Sequence, residues 1–222
     1  TWHLIALIGL GGLQGAIGWW MVASGIGETT RVDVAPYRLM THFMLALLII
    51  AYVSWLWLDL GGKARSVASQ SIKLVSLALL VAIFLQMAAG ALVAGLDAGR
   101  SYNDWPLMAG ELVPSHYLEN GLGIRSLFEG RAATQFNHRL LAYLIWAGAL
   151  ASAWAYRKTE FRTGFVWLAG LVSLQAVWGI VTLVHAAPMN LALVHQGLGV
   201  IVTLAAVRLV WRSTGRLPVS AG

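Results

Sequence analysis

The chain has 222 residues, 59% of them hydrophobic and 11% charged, with a mean hydropathy of +0.72 and a net charge of +6. Soluble domains are about 45–50% apolar, so this is not an ordinary globular protein. The absence of cysteine excludes disulfides, Cys-ligated zinc, iron–sulfur clusters and thiol nucleophiles.

In chain order, six apolar stretches fall near residues 4–26, 37–58, 74–96, 137–156, 164–186 and 189–211. Each is about 20–23 residues, enough for a helix to cross roughly 30 Å of hydrocarbon. Backbone in lipid must satisfy its own hydrogen bonds, so runs of this length are helical. The expected fold is therefore an all-α integral membrane protein with six transmembrane helices. Thr1 opens almost directly onto the first run, with no basic leader region and no small-residue cleavage site. No signal peptide is read, and an N-terminal part is expected to precede this chain.

The basic residues are not spread as a nucleic-acid footprint. Lys63, Arg65 and Lys73 lie between the second and third stretches, Arg157, Lys158 and Arg162 between the fourth and fifth, and Arg208, Arg212 and Arg216 at the end. These regions fall on one side and hold all three lysines. The other side holds Glu28, Asp33, Asp97, Asp104, Glu111, Glu119 and Glu129, seven of the nine acids. The positive-inside rule makes the first side cytoplasmic or matrix, and places the C-terminus there. Residues 97–136 form a long external segment containing Trp105, Pro106, Pro114, Tyr117 and Phe128. A loop of this length either caps the helix ends or carries function.

The sequence Leu-Gln-x-x-x-Gly occurs three times, at Leu13-Gln14 to Gly18, Leu85-Gln86 to Gly90 and Leu174-Gln175 to Gly179. Each copy sits inside an odd-numbered stretch. Each is followed by an external connection and then a helix with a histidine in its first turns: His42, His138 or His195. The chain reads as three copies of one helix-pair unit. Taken alone, Gln-x-x-x-Gly is a packing motif, in which glycine lets backbones approach and the amide bonds across to a neighbour. A lone histidine near a helix end is equally an interfacial or packing residue. Three at matching depth in matching units are more specific, because ionisable groups in membrane helices are costly and mark function.

Imidazole is a common ligand for haem iron and other metals. Copper or zinc would usually need a third ligand, and no Cys, Asp or Glu inside the membrane supplies one. Two helices of a four-helix bundle can each present one histidine to opposite faces of a flat haem. His138 and His195 fit that role, and both are candidate metal ligands. His42 is left without an obvious partner; His185 reads as interfacial, and His116 and His3 have weak claims. Arg38 lies four residues before His42, Arg139 follows His138, and Arg100, Arg125 and Arg131 lie in the external segment. Haem propionates seek such charge-assisted partners, although loop acids and lipid headgroups would satisfy the same arginines.

The run Gly11 to Val22, the segment Ala35 to His42, the stretch Gly90 to Met108, the hexapeptide Gln135 to Leu140 and His195-Gln196-Gly197 together resemble the haem A synthase family, in its cysteine-free proteobacterial and mitochondrial form. The resemblance covers essentially the whole chain. It implies eight helices in two four-helix halves, each with a histidine pair. Residues 1–60 would be the second helix pair of the N-terminal, substrate-haem half. Residues 61–222 would be the C-terminal bundle that binds haem b, with the external loop 97–136. His138 and His195 would be the axial ligands of haem b, and His42 a catalytic and iron-ligating residue where haem O reacts. The first two helices of the family, with the partner of His42 and a nearby glutamate, have no counterpart here.

The activity so implied is oxidation of a haem O methyl group to the formyl group of haem A, through a hydroxymethyl stage, with an electron link between the two sites. Haem O synthase, cytochrome oxidase assembly factors, the lipid bilayer and a second copy of the chain are the partners it suggests. The membrane would be the bacterial or mitochondrial inner membrane. Two rivals stand beside it: a bis-His haem b electron-transfer subunit without catalysis of its own, and a transporter built from repeats, which continuous helices and peripheral histidines disfavour.

Overall fold

The computed structural model describes residues 2–26, 33–61 and 65–215. Glu28, Lys63 and Arg216, three of the charges that orient the spans, lie outside them. Six long helices carry the fold: α1 (Trp2–Val22), α2 (Pro36–Leu60), α3 (Gln70–Gly95), then, after the short α4 (Ser126–Glu129), α5 (Arg131–Ala155), α6 (Arg162–Val184) and α7 (Met189–Ser213). Among the described residues there is no strand, only the isolated bridges Val67–Thr214 and Met108–Glu111. Local chemistry sets several starts. Pro36 opens α2, where its missing N–H costs nothing. The Ser69 hydroxyl accepts from the Ile72 N–H at the start of α3.

The six expected stretches each coincide with a long helix, with one correction to their character. Five helices, α1, α2, α3, α6 and α7, are long and apolar enough to cross a membrane. α5 has the length, 25 residues, but not the composition. It begins at Arg131, six residues before the expected 137, and its first turns hold Arg131, Gln135, Asn137, His138 and Arg139. Ala132, Ala133, Thr134 and Gln135 are buried inside the protein. Polar residues are tolerated at membrane depth when they face the protein interior, so hydropathy alone undercounts this helix.

α3, α5, α6 and α7 form a four-helix bundle in which α3 packs on α5, α5 on α6, α6 on α7 and α7 on α3. α5 and α7 therefore stand at opposite corners. The apolar core fills one end, where Ile72 and Leu79 of α3, Ile145 of α5, Phe165 of α6, and Val202 and Leu209 of α7 are buried together. That end also carries residues 65–69 and the connection 156–161. The α1–α2 pair lies on the outside of this bundle: α2 packs against α3 and α7, and α1 packs against α2. No described residue of α1 is buried. Gly95 permits the closest approach of α2 to α3, since a Cβ there would come within 2.9 Å of Pro36 Cα. At the other end, Asp59 accepts from Arg65 and from Trp211 Nε1 (2.6 Å), tying α2 to α7.

Candidate functional site

The three copies of Gln-x-x-x-Gly fold into three copies of one histidine cradle. In the first, Gln14 Nε2 of α1 donates to the backbone carbonyl of His42 on α2 at 3.2 Å, and lies 3.2 and 3.3 Å from the two imidazole nitrogens. In the second, Gln86 Nε2 of α3 donates to the His138 carbonyl of α5 at 3.1 Å, with 3.1 and 3.3 Å to the ring nitrogens. In the third, Gln175 Nε2 of α6 donates to the His195 carbonyl of α7 at 3.0 Å, with 3.5 Å to Nε2 of the ring.

Near-equal distances to both ring nitrogens put the amide of Gln14, and that of Gln86, over the ring face instead of on one lone pair. The carbonyl is already a helix acceptor, but a carbonyl oxygen has two lone pairs and takes the second donor without loss.

The glycine one turn on completes the cradle. A Cβ on Gly18, Gly90 or Gly179 would stand 3.0, 3.1 or 2.8 Å from Cε1 of His42, His138 or His195 respectively. Each glycine is therefore the space occupied by the edge of an imidazole. The packing interpretation of the motif is right about the amide, which does bridge two helices. It misses the glycine, which makes room for a ring more than for a backbone. The signal was present in the sequence as the constant pairing of each motif with one histidine on the next helix.

His138 and His195 come from α5 and α7, the opposite corners of the bundle. They occupy the half of the bundle away from the packed apolar core. His42 has the same cradle but belongs to the outer α1–α2 pair. The other histidines take no part. His185 is exposed and bonds the Val181 carbonyl at 2.8 Å, His3 bonds the Tyr52 hydroxyl at 2.7 Å, and His116 is exposed in the loop.

Four buried polar atoms in these cradles have no hydrogen-bond partner among the described residues: Oε1 of Gln14, Gln86 and Gln175, and Nδ1 of His195. Buried groups of this kind are costly, and each calls for a reason. A haem bound between His138 and His195 fits those of Gln86, Gln175 and His195. One ring nitrogen would take iron, leaving the other as a donor within a cradle that offers an unused acceptor. Among the described residues, no three His, Cys, Asp or Glu side chains cluster as a metal-ligating group.

The arginines separate. Arg139 Nη1 donates to the carbonyls of Asp104 and Leu107, both at 3.0 Å, and Nη2 to the Tyr102 carbonyl at 3.0 Å. In this structure it holds down the external loop, with Nε buried and unpartnered. Arg38 Nη1 donates to the Trp20 carbonyl at 2.8 Å and its guanidinium lies 4.7 Å from the Trp20 ring centre. Arg125 pairs with Glu129 at 2.7 Å, and Arg100 with Asp97 at 3.6 Å. Arg131 is exposed; its backbone N–H, not its side chain, is bonded, to Glu119 Oε1 at 2.9 Å.

Around Arg139 the loop is folded onto the helix ends. Gln135 Nε2 donates to the Tyr102 carbonyl at 3.0 Å, Asn103 Nδ2 to the Leu183 carbonyl at 2.9 Å, and the Tyr117 hydroxyl to Asn137 Oδ1 at 2.8 Å. Asn103, Gln135 and Asn137 were not singled out by sequence reasoning; polar amides beside a membrane span were the available sign. The Asp104 carboxylate accepts from the backbone N–H groups of Gly110 and Ala109, which hold it below the usual carboxylate range.

Comparison with known proteins places the chain. Over 214 residues it is 69% identical to the haem A synthase of Hyphomonas neptunium, covering 96% of this chain and 61% of that protein. It is 45% identical over 218 residues to the haem A synthase of Caulobacter sp. strain K31, covering 95% and 62%. It is 43% identical over 217 residues to that of Rhodopseudomonas palustris strain HaA2, covering 95% and 59%. The chain thus spans about 60% of the length of the curated relatives it matches. Residues 1–207 match the family described as cytochrome oxidase assembly protein, COX15-CtaA, and the chain belongs to that family.

Proposed function

We propose that this chain is the larger part of a haem A synthase, a membrane oxidoreductase that converts a methyl group of haem O to the formyl group of haem A. The single observation that carries the reading is the pair of cradled histidines, His138 and His195, at opposite corners of one bundle. The names of the similar proteins support the same activity.

In this reading residues 61–222 supply the bundle that would hold haem b, with His138 and His195 as the residues that would hold its iron. Residues 1–60 supply the helix pair of the substrate-haem half, where His42 faces haem O as catalytic residue and iron ligand. Haem supplies the one-electron and oxygen chemistry when bound, and the protein supplies ligation, orientation and electrostatics. The cradles set the position of each imidazole before any ligand arrives. Arg38 and Arg131 lie at the external end, where propionates would meet them; Arg139 reaches them only by giving up loop carbonyls, or acts through the loop it holds. The external loop closes the same end against water.

The protein sits in a bacterial or mitochondrial inner membrane with its C-terminus on the cytoplasmic or matrix side. Haem O synthase is the chemically required supplier of its substrate, and cytochrome oxidase assembly factors its consumers; a homo-oligomer is compatible with the lipid-facing surface. The test is a reduced-minus-oxidised visible spectrum of the purified protein, with extraction and chromatography of its haem, beside expression in a host that makes haem O. A low-spin b-type spectrum with haem A accumulating supports the reading. A b-type spectrum with haem B alone and no haem A favours the electron-transfer subunit, which would use the same histidine pair. Folded protein without haem overturns both.

A further inference from the structure

We infer that Gln14, Gln86 and Gln175 are positioning residues for the three histidines, acting with Gly18, Gly90 and Gly179 to fix the rotation of each imidazole about its side-chain bonds. The inference rests on the reading of His138 and His195 as haem ligands.

Packing alone does not require this arrangement. A helix crossing needs a small residue, and an interhelical amide needs any acceptor. Here all three amides choose the same acceptor, the carbonyl of the histidine itself, within 3.0–3.2 Å. All three glycines face the same atom, the imidazole Cε1. The amide bears on the ring from one side and the glycine leaves room for its edge, so few rotamers remain. All three glutamine carbonyl oxygens stay buried and unpartnered. A packing motif would gain by rotating those oxygens to a donor. Keeping the amide nitrogen on the histidine carbonyl at that cost, three times in one chain, points to the ring as the object of the motif. Groups that orient a metal-binding histidine typically contribute about 10–100-fold to ligand affinity, and interhelical hydrogen bonds in membranes have only a modest energy of their own, on average about 0.6 kcal/mol. The expected consequence is therefore on ligand geometry more than on stability.

The experiment uses the full chain with its haem. Gln86→Met and Gln175→Met keep the length of the side chain and remove its N–H donors. Gly90→Ala and Gly179→Ala push on the ring and leave the hydrogen bonds alone. Haem affinity is read by titration, and the relative orientation of the two imidazole planes by the low-spin ferric g values in electron paramagnetic resonance. Thermal unfolding and size exclusion check the fold. The expected result is wild-type-like folding, haem affinity weakened about 10-fold or more, and displaced g values in both kinds of variant. Folded variants with unchanged g values and affinity overturn the inference and leave the haem reading standing. A wild-type protein with no low-spin haem removes the reading itself, and the cradle with it. If a Gln→Met variant does not fold, the Gly→Ala variant at the same histidine decides by the same g values.

Discussion

The α1–α2 pair and the four-helix bundle carry the same cradle in very different surroundings. α1 buries no described residue and α2 buries only Leu47 and Leu58, whereas α7 alone buries nine residues. Yet Gln14 holds His42 with the distances that Gln86 uses for His138. The cradle is thus a property of one helix pair, set by the spacing of glutamine and glycine along a turn. What the pair cannot supply is a second cradled histidine in the same unit. That comes from the bundle, where four helices bring two pairs together and put their histidines at opposite corners. One local unit, used once, gives one cradled imidazole; used twice around a shared core, it gives two in one bundle.

The largest effect that would break this comparison is loss of a ligand. If the bundle holds haem as proposed, His138→Ala and His195→Ala are each expected to abolish its low-spin spectrum, while His42→Ala leaves that spectrum in place. Haem content per protein by pyridine haemochrome, with the visible spectrum, checks it. Equal loss from all three would show that the pair and the bundle are not separate sites.

Next comes the contrast in packing. Phe165 is 1% exposed and stacks on Tyr156 with ring centres 4.8 Å apart. Phe165→Ala should cost about 3–5 kcal/mol through the cavity it leaves. Ile8 on α1 is 77% exposed, and Ile8→Ala should stay within about 0.5 kcal/mol. Unfolding in detergent measures both.

A smaller effect concerns the loop over the bundle. Arg139→Lys keeps the charge and loses the forked donors to Tyr102, Asp104 and Leu107. Each hydrogen bond from a charged group is worth about 1.5–3 kcal/mol, so limited proteolysis should cut the 97–130 segment markedly faster. Cleavage at the wild-type rate would mean that another contact closes the loop.

The smallest is a pH effect on that loop. Asp104 has its pKa lowered by the Gly110 and Ala109 N–H groups. The folded value lies below the unfolded one, so its contribution is present above the unfolded pKa and is lost as pH falls through the folded pKa. The window therefore lies at and below about pH 4. Asp104→Asn should flatten the acid dependence of proteolysis in that range and change little near neutrality.

Much of the site was legible before the fold. The threefold repeat, and the constant pairing of each Gln-x-x-x-Gly with a histidine on the next helix, identified His42, His138 and His195 as equivalent. Hydropathy located six long helices but failed to recognise α5 as one that begins at Arg131, because its polar first turns face inward. The glycines were read for backbone approach, since a one-dimensional pattern cannot show that the neighbour at Gly90 is a ring and not a chain. Arg139 reads in the sequence as a candidate propionate partner; the three loop carbonyls 32 to 37 residues away that it bonds were not legible there.

The sequence by itself determined the class of molecule, the helices and the unit of repetition, because apolar length and residue spacing act locally along one chain. The tertiary structure decided which histidines share one bundle, which cation holds the loop, and which end of the bundle is filled by core. Those depend on which helices become neighbours, and neighbours are chosen by packing between segments that the sequence keeps far apart.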